Sequence, residues 1–412
     1  MNGPVSVMLP MRNEAATVGE VVSRLRRSPA VAEILAVDNA SSDESAAIAR
    51  RAGARVVTEP AAGLGAVVRR GLRAAAYDHV VKVDADLLDF TDDLVERLLG
   101  ASNGPDIRLV KGKWVDPDDD MPMTRRLIQP ALRHLYPGLS GHEAPNSGIY
   151  LIDRRAVAVR HLPDGYAVDI DVMLRIHSGG WRVVEADIGM LHNNPRTTDH
   201  YTAMADTIFG LFLERARQEP LRPIVAIAPR SEDIISGCLG TLSNHLGVGG
   251  RVLLCITDED ADVARRRLVP LLDEFPTAAL TTRALPARLP AAAFEHGLTV
   301  ISAAESDAFV DRWLQCTPAL DGNRLRRYTL PPAVTGHESA AFSPAFSVDI
   351  SPQLELKRLC CAGLPPGDAR QRTSLRQACA ASEYWGDLAG VDAAEVFASA
   401  ASPHGPPRTR TL

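Results

Sequence analysis

Lysine is scarce in this 412-residue chain, standing only at Lys82, Lys111, Lys113 and Lys357, while arginine supplies nearly all the positive charge. With alanine abundant as well, that bias fits a GC-rich coding sequence and bears on origin rather than activity. There is no basic excess: the formal net charge is -6, which gives no reason to expect a nucleic-acid or anionic-membrane partner. Cysteine is absent before Cys238, and the six present (Cys238, Cys255, Cys316, Cys360, Cys361, Cys379) form no CxxC pair and no zinc-finger spacing. They are expected to be reduced thiols, buried or partly buried. No apolar run approaches the roughly 18 residues of a membrane span, and the N-terminus lacks a basic-then-apolar signal pattern, so the expected setting is cytoplasmic.

What the chain does have is 46% hydrophobic residues, enough for real cores, over a length that suggests about two or three domains. Short β-favouring runs alternate with helical patterns from the start: Val5–Leu9, a helix to about Arg27, Glu33–Val37, an alanine-rich helix to Ala52 capped by Ser42 or Asp43, Arg55–Val57, a helix opened by Gly63-Leu64-Gly65, and Val80–Val83. Strands separated by single helices imply parallel βαβ units whose carboxyl ends share one edge of the sheet. Pro10 to Glu14, Asp38 and the Asp84-Ala85-Asp86 triplet all fall at such ends. Pro220-Leu-Arg-Pro223 reads as a linker, and a second α/β pattern begins at Ile224. The boundaries expected are a first domain over 1–219, a second over 224–400 and a disordered tail over 401–412.

The DxD triplet is a weak signal alone, because Asp116/Asp118, Asp169/Asp171 and Asp258/Asp260 repeat it. Position selects Asp84 and Asp86, while Asp116 to Asp120 reads as a solvated acidic loop. In an extended segment two such carboxylates share a face about 6.6 Å apart, at roughly 3.3 Å per residue. One Mg²⁺ with ligands at about 2.1 Å is hard for both to grip directly. One aspartate on the metal, the other on a water or sugar hydroxyl, and the ligand's phosphates completing the shell is the arrangement expected.

On these motifs the first half resembles GT-A glycosyltransferases of the family 2 type, within them the glucosyl-3-phosphoglycerate and mannosylglycerate synthase branch, with dolichol-phosphate mannose synthases more distant. Pro10-Met-Arg12-Asn13-Glu14 is similar to that family's Pro-x-x-Asn-Glu turn and Asp38-Asn39 to its Val-Asp-Asp/Asn; Gly63-Leu64-Gly65 resembles Gly-Lys-Gly, with leucine in place of lysine. The resemblance implies nucleotide-sugar contacts at Pro10, Arg12, Asn13, Glu14, Asp38, Gly63, Gly65, Asp84, Ala85, Asp86 and, from Val110-Lys111-Gly, at Lys111. It implies a divalent metal, Mg²⁺ or Mn²⁺, on Asp86 and His192, and acceptor contacts at Asn146, Ser147, Gly148 and Tyr166. Asp169-Ile-Asp171 is similar to the family's Glu-Ile-Asp element, which implies that Asp169 or Asp171 acts as base toward the acceptor hydroxyl or orients it. Capping of a helix is the alternative for either carboxylate. Retention and inversion at the anomeric carbon both remain open.

The second half resembles PIG-L/LmbE deacetylases through Ile224–Pro229, Gly237-Cys-Leu-Gly240-Thr, Val348–Ser351 with Lys357, and Gly390–Phe397. Where that family reads His-Pro-Asp-Asp, this chain reads Pro229-Arg230-Ser231-Glu232, and His296 and His337 are isolated, so the resemblance implies a domain without zinc and without catalysis. The function expected is therefore metal-dependent transfer of a sugar from a nucleotide donor to a small soluble acceptor. UDP-N-acetylglucosamine is the first donor expected, because of the deacetylase-like fusion, with UDP-glucose or GDP-mannose second. Deacetylation by the second domain, a non-catalytic nucleotide-sugar scaffold and a homodimer are the other readings weighed.

Overall fold

A computed structural model describes residues 3–115, 121–192, 197–217, 223–282, 299–303, 324–328, 346–362, 379–380, 382–383, 391–399 and 408–409. The acidic loop 116–120, most of the linker, and Cys316, His296 and His337 lie outside the described residues. The chain divides into two units, Met1–Arg217 and Gln218–Leu412.

The first unit carries β1 (Val5–Met11), α1 (Val18–Leu25), β2 (Val31–Asp38), α2 (Ser45–Ala52), β3 (Arg55–Thr58), α3 (Leu64–Ala74), β4 (His79–Lys82), α4 (Leu94–Ala101), β5 (Ile107–Val115), α5 (Gln129–Leu135), β6 (Tyr150–Asp153), α6 (Val168–Ser178), β7 (Arg182–Met190) and α7 (Thr198–Arg217). The sheet order is β3-β2-β1-β4-β6-β5-β7. Neighbours are parallel except around β6, which runs antiparallel to both β4 and β5. The amino end of β6 therefore shares an edge with the carboxyl ends of β1, β2, β4 and β5.

The period-2 alternation of β1 sorts its side chains between two cores. Val5, Val7, Leu9 and Met11 pack in one with α1, α2 and α4, while Met8 packs in the other with α3, α6 and α7. The sheet is thus covered on both faces. In α1 the buried positions Val18, Val21, Val22 and Leu25 follow the spacing of a one-faced helix. Pro10 is tolerated in this central strand because β1 pairs with β4 only over Ser6 to Met8, so its missing N–H removes no bond there.

The second unit contains β8 (Ile224–Ala228), α8 (Ser231–Gly237), α9 (Leu239–Gly247), β9 (Val252–Ile256), α10 (Ala261–Glu274), β10 (Ala278–Thr282), β11 (Thr299–Ala303), β12 (Arg324–Tyr328), β13 (Phe346–Asp349), α11 (Leu354–Ala362), β14 (Ala394–Ser399) and β15 (Arg408–Thr409). Its strands are ordered β10-β9-β8-β11-β12-β14-β13-β15, parallel from β10 to β12 and antiparallel on both sides of β14. The tail expected to be disordered contributes β15, which pairs with Phe346 and Ser347. Asp260, one half of a competing DxD, caps α10 by accepting from the Asp262 N–H. Cys238, Cys255 and Cys360 are buried free thiols, and no helix among the described residues is long and apolar enough to cross a membrane.

Candidate active site

A cleft of about 950 Å³ opens at the strand-end edge of the first unit, at the large end of the usual range for small-molecule sites. The strand order gives it two halves. Pro10, Met11, Arg12, Glu14 and Asn39 line it from the ends of β1 and β2, with Gly63 and Leu64 at the start of α3. Asp84, Ala85 and Asp86 stand in the middle, after β4. Across from them are Trp114 at the end of β5, Met121 to Thr124, Asn146 to Gly148 ahead of β6, Tyr166, Asp169 and the first turns of α7.

Four residues expected to touch the nucleotide sugar are absent from this lining. Asn13 and Asp38 hold the loops together instead: the Asn13 Oδ1 accepts from the Ser42 N–H at 2.8 Å, and the Asp38 Oδ1 from the Ser41 N–H at 3.3 Å. Asn13 has φ 59°, a left-handed conformation that asparagine tolerates better than most residues. Gly65 is a packing requirement, since a Cβ there would stand 1.8 Å from the Pro163 carbonyl oxygen and its N–H donates to the Asp164 carbonyl at 2.8 Å. Lys111 is fully buried and its ammonium donates inward, to the Ser147 carbonyl at 2.7 Å and the Asp169 carbonyl at 2.9 Å.

Asp84 and Asp86 lie past the end of β4, with Asp86 in a turn, rather than both in the extended segment expected. The Thr17 hydroxyl fixes that turn by donating to the Ala85 carbonyl at 2.8 Å. Two carboxylates facing one cleft suit a hard divalent cation that takes one or two protein carboxylates and completes its shell with phosphate and water. Among the described residues no group of three or more His, Cys, Asp or Glu is placed to hold a metal ion. His192 is not among the lining residues; its backbone bridges Asp89, and its carbonyl accepts from the Leu88 N–H at 3.2 Å, just beyond the aspartate turn.

Behind the cleft floor lies a buried ionic network that the antiparallel register of β6 creates. Lys82, Tyr150 and Lys111 are direct cross-strand partners on β4, β6 and β5. The two ammonium groups stand 5.7 Å and 4.7 Å from the Tyr150 ring centroid. Lys82 uses all three donors, on the Gly148 carbonyl at 2.8 Å, Asp84 Oδ1 at 3.0 Å and Asp169 Oδ2 at 3.2 Å. Gly148 is required here, because a Cβ would meet Asp84 Oδ2 at 2.7 Å and the Lys82 Nζ at 3.1 Å.

Burial draws the Lys82 ammonium down, but Asp169 and Asp84 more than offset it and keep the lysine charged. Lys111 has no such carboxylate in contact, and burial, aided by the like charge of Lys82, pulls it down to about 7 against the opposing pull of Asp169. Asp169 is raised, chiefly by burial, against Lys82 and Lys111. Beside it the buried Tyr150 hydroxyl stands within hydrogen-bonding reach of the same carboxylate, and burial together with Asp169 raises the tyrosine well above its ordinary value. A cleft-lining carboxylate oriented by Lys82 and with its basicity increased can accept a proton from, or orient, a substrate hydroxyl.

The neighbouring Asp171 does not share that position. It is fully buried and clamped between Arg175 Nε at 2.5 Å and Arg215 Nη2 at 2.6 Å. Burial pushes its carboxyl up, but the two guanidiniums outweigh this and leave it lowered. The expectation that Asp171 is catalytic is thereby corrected: α6 turns about 100° per residue, so residues two apart face different ways. Helix capping by either aspartate is also ruled out, since α6 starts at Val168 after Ala167 with no side-chain cap bond.

Lys82 and Tyr150 went unnoticed in the sequence, although a lysine inside an apolar strand run is itself the signal of a buried partner. His200, Tyr201 and Met204, on the first turns of α7, also line the cleft, and no motif in their local sequence marks them.

The family model of glycosyl transferase family 2 matches residues 6–155. An uncharacterised glycosyltransferase of Mycobacterium bovis is 32% identical over 208 residues, covering 47% of this chain and 86% of that protein. A glucosyl-3-phosphoglycerate synthase of Mycolicibacterium smegmatis is 29% identical over 233 residues, covering 51% of this chain and 77% of that protein. The crystal structure of the Mycobacterium tuberculosis glucosyl-3-phosphoglycerate synthase, with Mn²⁺, UDP-glucose and phosphoglyceric acid, is similar at a TM-score of 0.48 and 28% identity, over 52% of this chain and 80% of that one. The chain belongs to glycosyl transferase family 2 and is a glycosyltransferase that draws on a nucleotide-sugar donor.

Proposed function

We propose that the first unit transfers a hexose from a uridine-diphosphate donor to a hydroxyl of a small acceptor, with Asp86 as metal ligand and Asp169 as the carboxylate facing the acceptor. The observation that carries this reading is that Asp84, Asp86 and Asp169 line one cleft while Lys82 ties Asp84 to Asp169. Pro10, Arg12 and Glu14 hold the nucleotide end, and Asn146, Ser147, Gly148 and Tyr166 hold the acceptor. His192 is the second candidate ligand. The cofactor, Mg²⁺ or Mn²⁺, neutralises the departing diphosphate when bound. Lys82 orients Asp169, Lys111 holds the 146–148 loop from behind, and Asp169 takes up or steadies the proton of the attacking hydroxyl.

Two sugars have separate support. A relative named for glucosyl transfer favours UDP-glucose, and the deacetylase-like second unit favours UDP-N-acetylglucosamine. We read that second unit as a PIG-L/LmbE relative that has exchanged metal chemistry for structure: the Glu232 carboxylate, in the first turn of α8, is paired with Arg267 at 2.8 Å. A panel of UDP-glucose, UDP-N-acetylglucosamine and GDP-mannose with Mn²⁺, read as donor hydrolysis, tests the donor. Turnover of a UDP-sugar that Asp86→Ala lowers by about 10³-fold or more, on the order of 4 kcal/mol, supports the assignment. No response to either UDP-sugar, or full activity in Asp86→Ala, sinks it. Acetate release by the purified chain, or stoichiometric zinc in it, would overturn the reading of the second unit.

A further inference from the structure

The three largest fully buried side chains among the described residues are Tyr150, Lys82 and Lys111, the cross-strand row of β6, β4 and β5. A phenol in the middle of that row does more than pack, because phenylalanine would fill nearly the same space and a buried hydroxyl without a partner is disfavoured. Its partner is the Asp169 carboxylate, which the hydroxyl reaches from β6 while the Lys82 ammonium reaches Oδ2 from β4 at 3.2 Å. Two strands of opposite direction thus grip one side chain of α6.

The surrounding charges do not replace that bond. Lys82 divides its three donors among Gly148, Asp84 and Asp169, and Lys111 commits its ammonium to the Ser147 and Asp169 carbonyls rather than to the carboxylate. Asp84, the other charged group that acts on Asp169, repels it. The tyrosine differs from all three in carrying no charge. Burial and the nearness of Asp169 hold its phenol well above the ordinary range, so it remains a donor at every working pH. Its ring also spaces the two ammonium groups, which stand 5.7 Å and 4.7 Å from the ring centroid.

We propose that Tyr150 is a positioning residue for sugar transfer, its hydroxyl and the Lys82 ammonium together fixing the Asp169 carboxylate at the cleft wall. The proposal rests on the reading of Asp169 as the carboxylate facing the acceptor. A bond donated to an ionised carboxylate favours that form. The test is therefore the pH profile of UDP-glucose or UDP-N-acetylglucosamine hydrolysis by the full chain with Mn²⁺, in which water takes the acceptor's place. Tyr150→Phe keeps the ring between the lysines and removes the donor. Its acidic limb of kcat should move upward by about one pH unit, with KM for the UDP-sugar within about twofold of wild type. 3-Fluorotyrosine incorporated at position 150 is a stronger donor of nearly the same size and should move the limb downward by about half a pH unit; it decides alone if Tyr150→Phe does not fold. A limb that stays in place in the folded variants, or a loss of kcat equal at every pH, overturns the proposal. Absence of hydrolysis by the wild-type chain is a different result, which removes the transferase reading itself and the proposal with it.

Discussion

Each unit buries a lysine against a carboxylate, and the two pairs are finished differently. In the second unit Lys357 meets Glu395 at 2.8 Å and also donates to the Ser236 carbonyl and the Ser382 hydroxyl. Glu395 is saturated in turn, accepting from the Gly240 N–H at 3.1 Å, the Thr241 N–H at 2.9 Å and the Thr241 hydroxyl at 2.7 Å. In the first unit Lys82 is equally saturated, but the Asp169 side chain is held by fewer donors than Glu395 is, namely Lys82 and the Tyr150 hydroxyl, and stands in a cleft wall. A completed buried ion pair fastens segments far apart in sequence, here 155 residues for Gly240 and Glu395. A pair left incomplete at a cleft has capacity for a substrate.

Breaking the completed pair should have the larger effect on stability and none on transfer. Glu395→Ala leaves Lys357 buried and uncompensated, which costs about 3–5 kcal/mol. Differential scanning calorimetry should show an earlier unfolding transition, with donor turnover within about twofold of wild type. An unchanged transition would remove the contrast.

Breaking the incomplete pair should instead be visible in a pH profile. Lys82 holds the Asp169 carboxyl down against burial, so Lys82→Met should raise it further. The ionised carboxylate is then lost at higher pH, and the acidic limb of the kcat profile should move upward by about one pH unit. A limb that stays in place would separate Asp169 from the limiting proton transfer.

The smallest effect expected is on the pH slope of stability. Lys111 is pulled from 10.5 to about 7 in the fold, so between those values the unfolded chain binds the extra proton and the folded chain does not. Stability contributed by this group therefore rises as pH climbs through that window. Urea denaturation of wild type should show the rise between about pH 7 and 9, and Lys111→Met should flatten it. Equal slopes in both proteins would contradict the downward pull that burial exerts on Lys111.

The alternation of strands and helices was legible because β1, β2 and β4 are short apolar runs ended by polar turns, the local pattern of parallel units. The clustering of Pro10, Arg12 and Glu14 with Asp84 and Asp86 followed from strand order. What could not be read was β6: nothing local in Tyr150 to Asp153 says that it runs antiparallel, and that reversal alone puts Tyr150 between Lys82 and Lys111. For the same reason Lys111, a ligand contact by resemblance, instead has the carbonyls of Ser147 and Asp169 as its neighbours. Asp169 and Asp171 look alike as a doublet, and only the two-residue rotation along α6 sends one to the cleft and the other to Arg175 and Arg215.

The central claim is that Asp169 is the working carboxylate of the cleft. The most direct test is single-turnover sugar transfer by Asp169→Asn at saturating donor and Mn²⁺, an isosteric change that keeps the hydrogen bond geometry and removes the base. The account predicts a loss of about 10²–10⁴-fold in rate with UDP affinity retained. A rate within a few fold of wild type would contradict it.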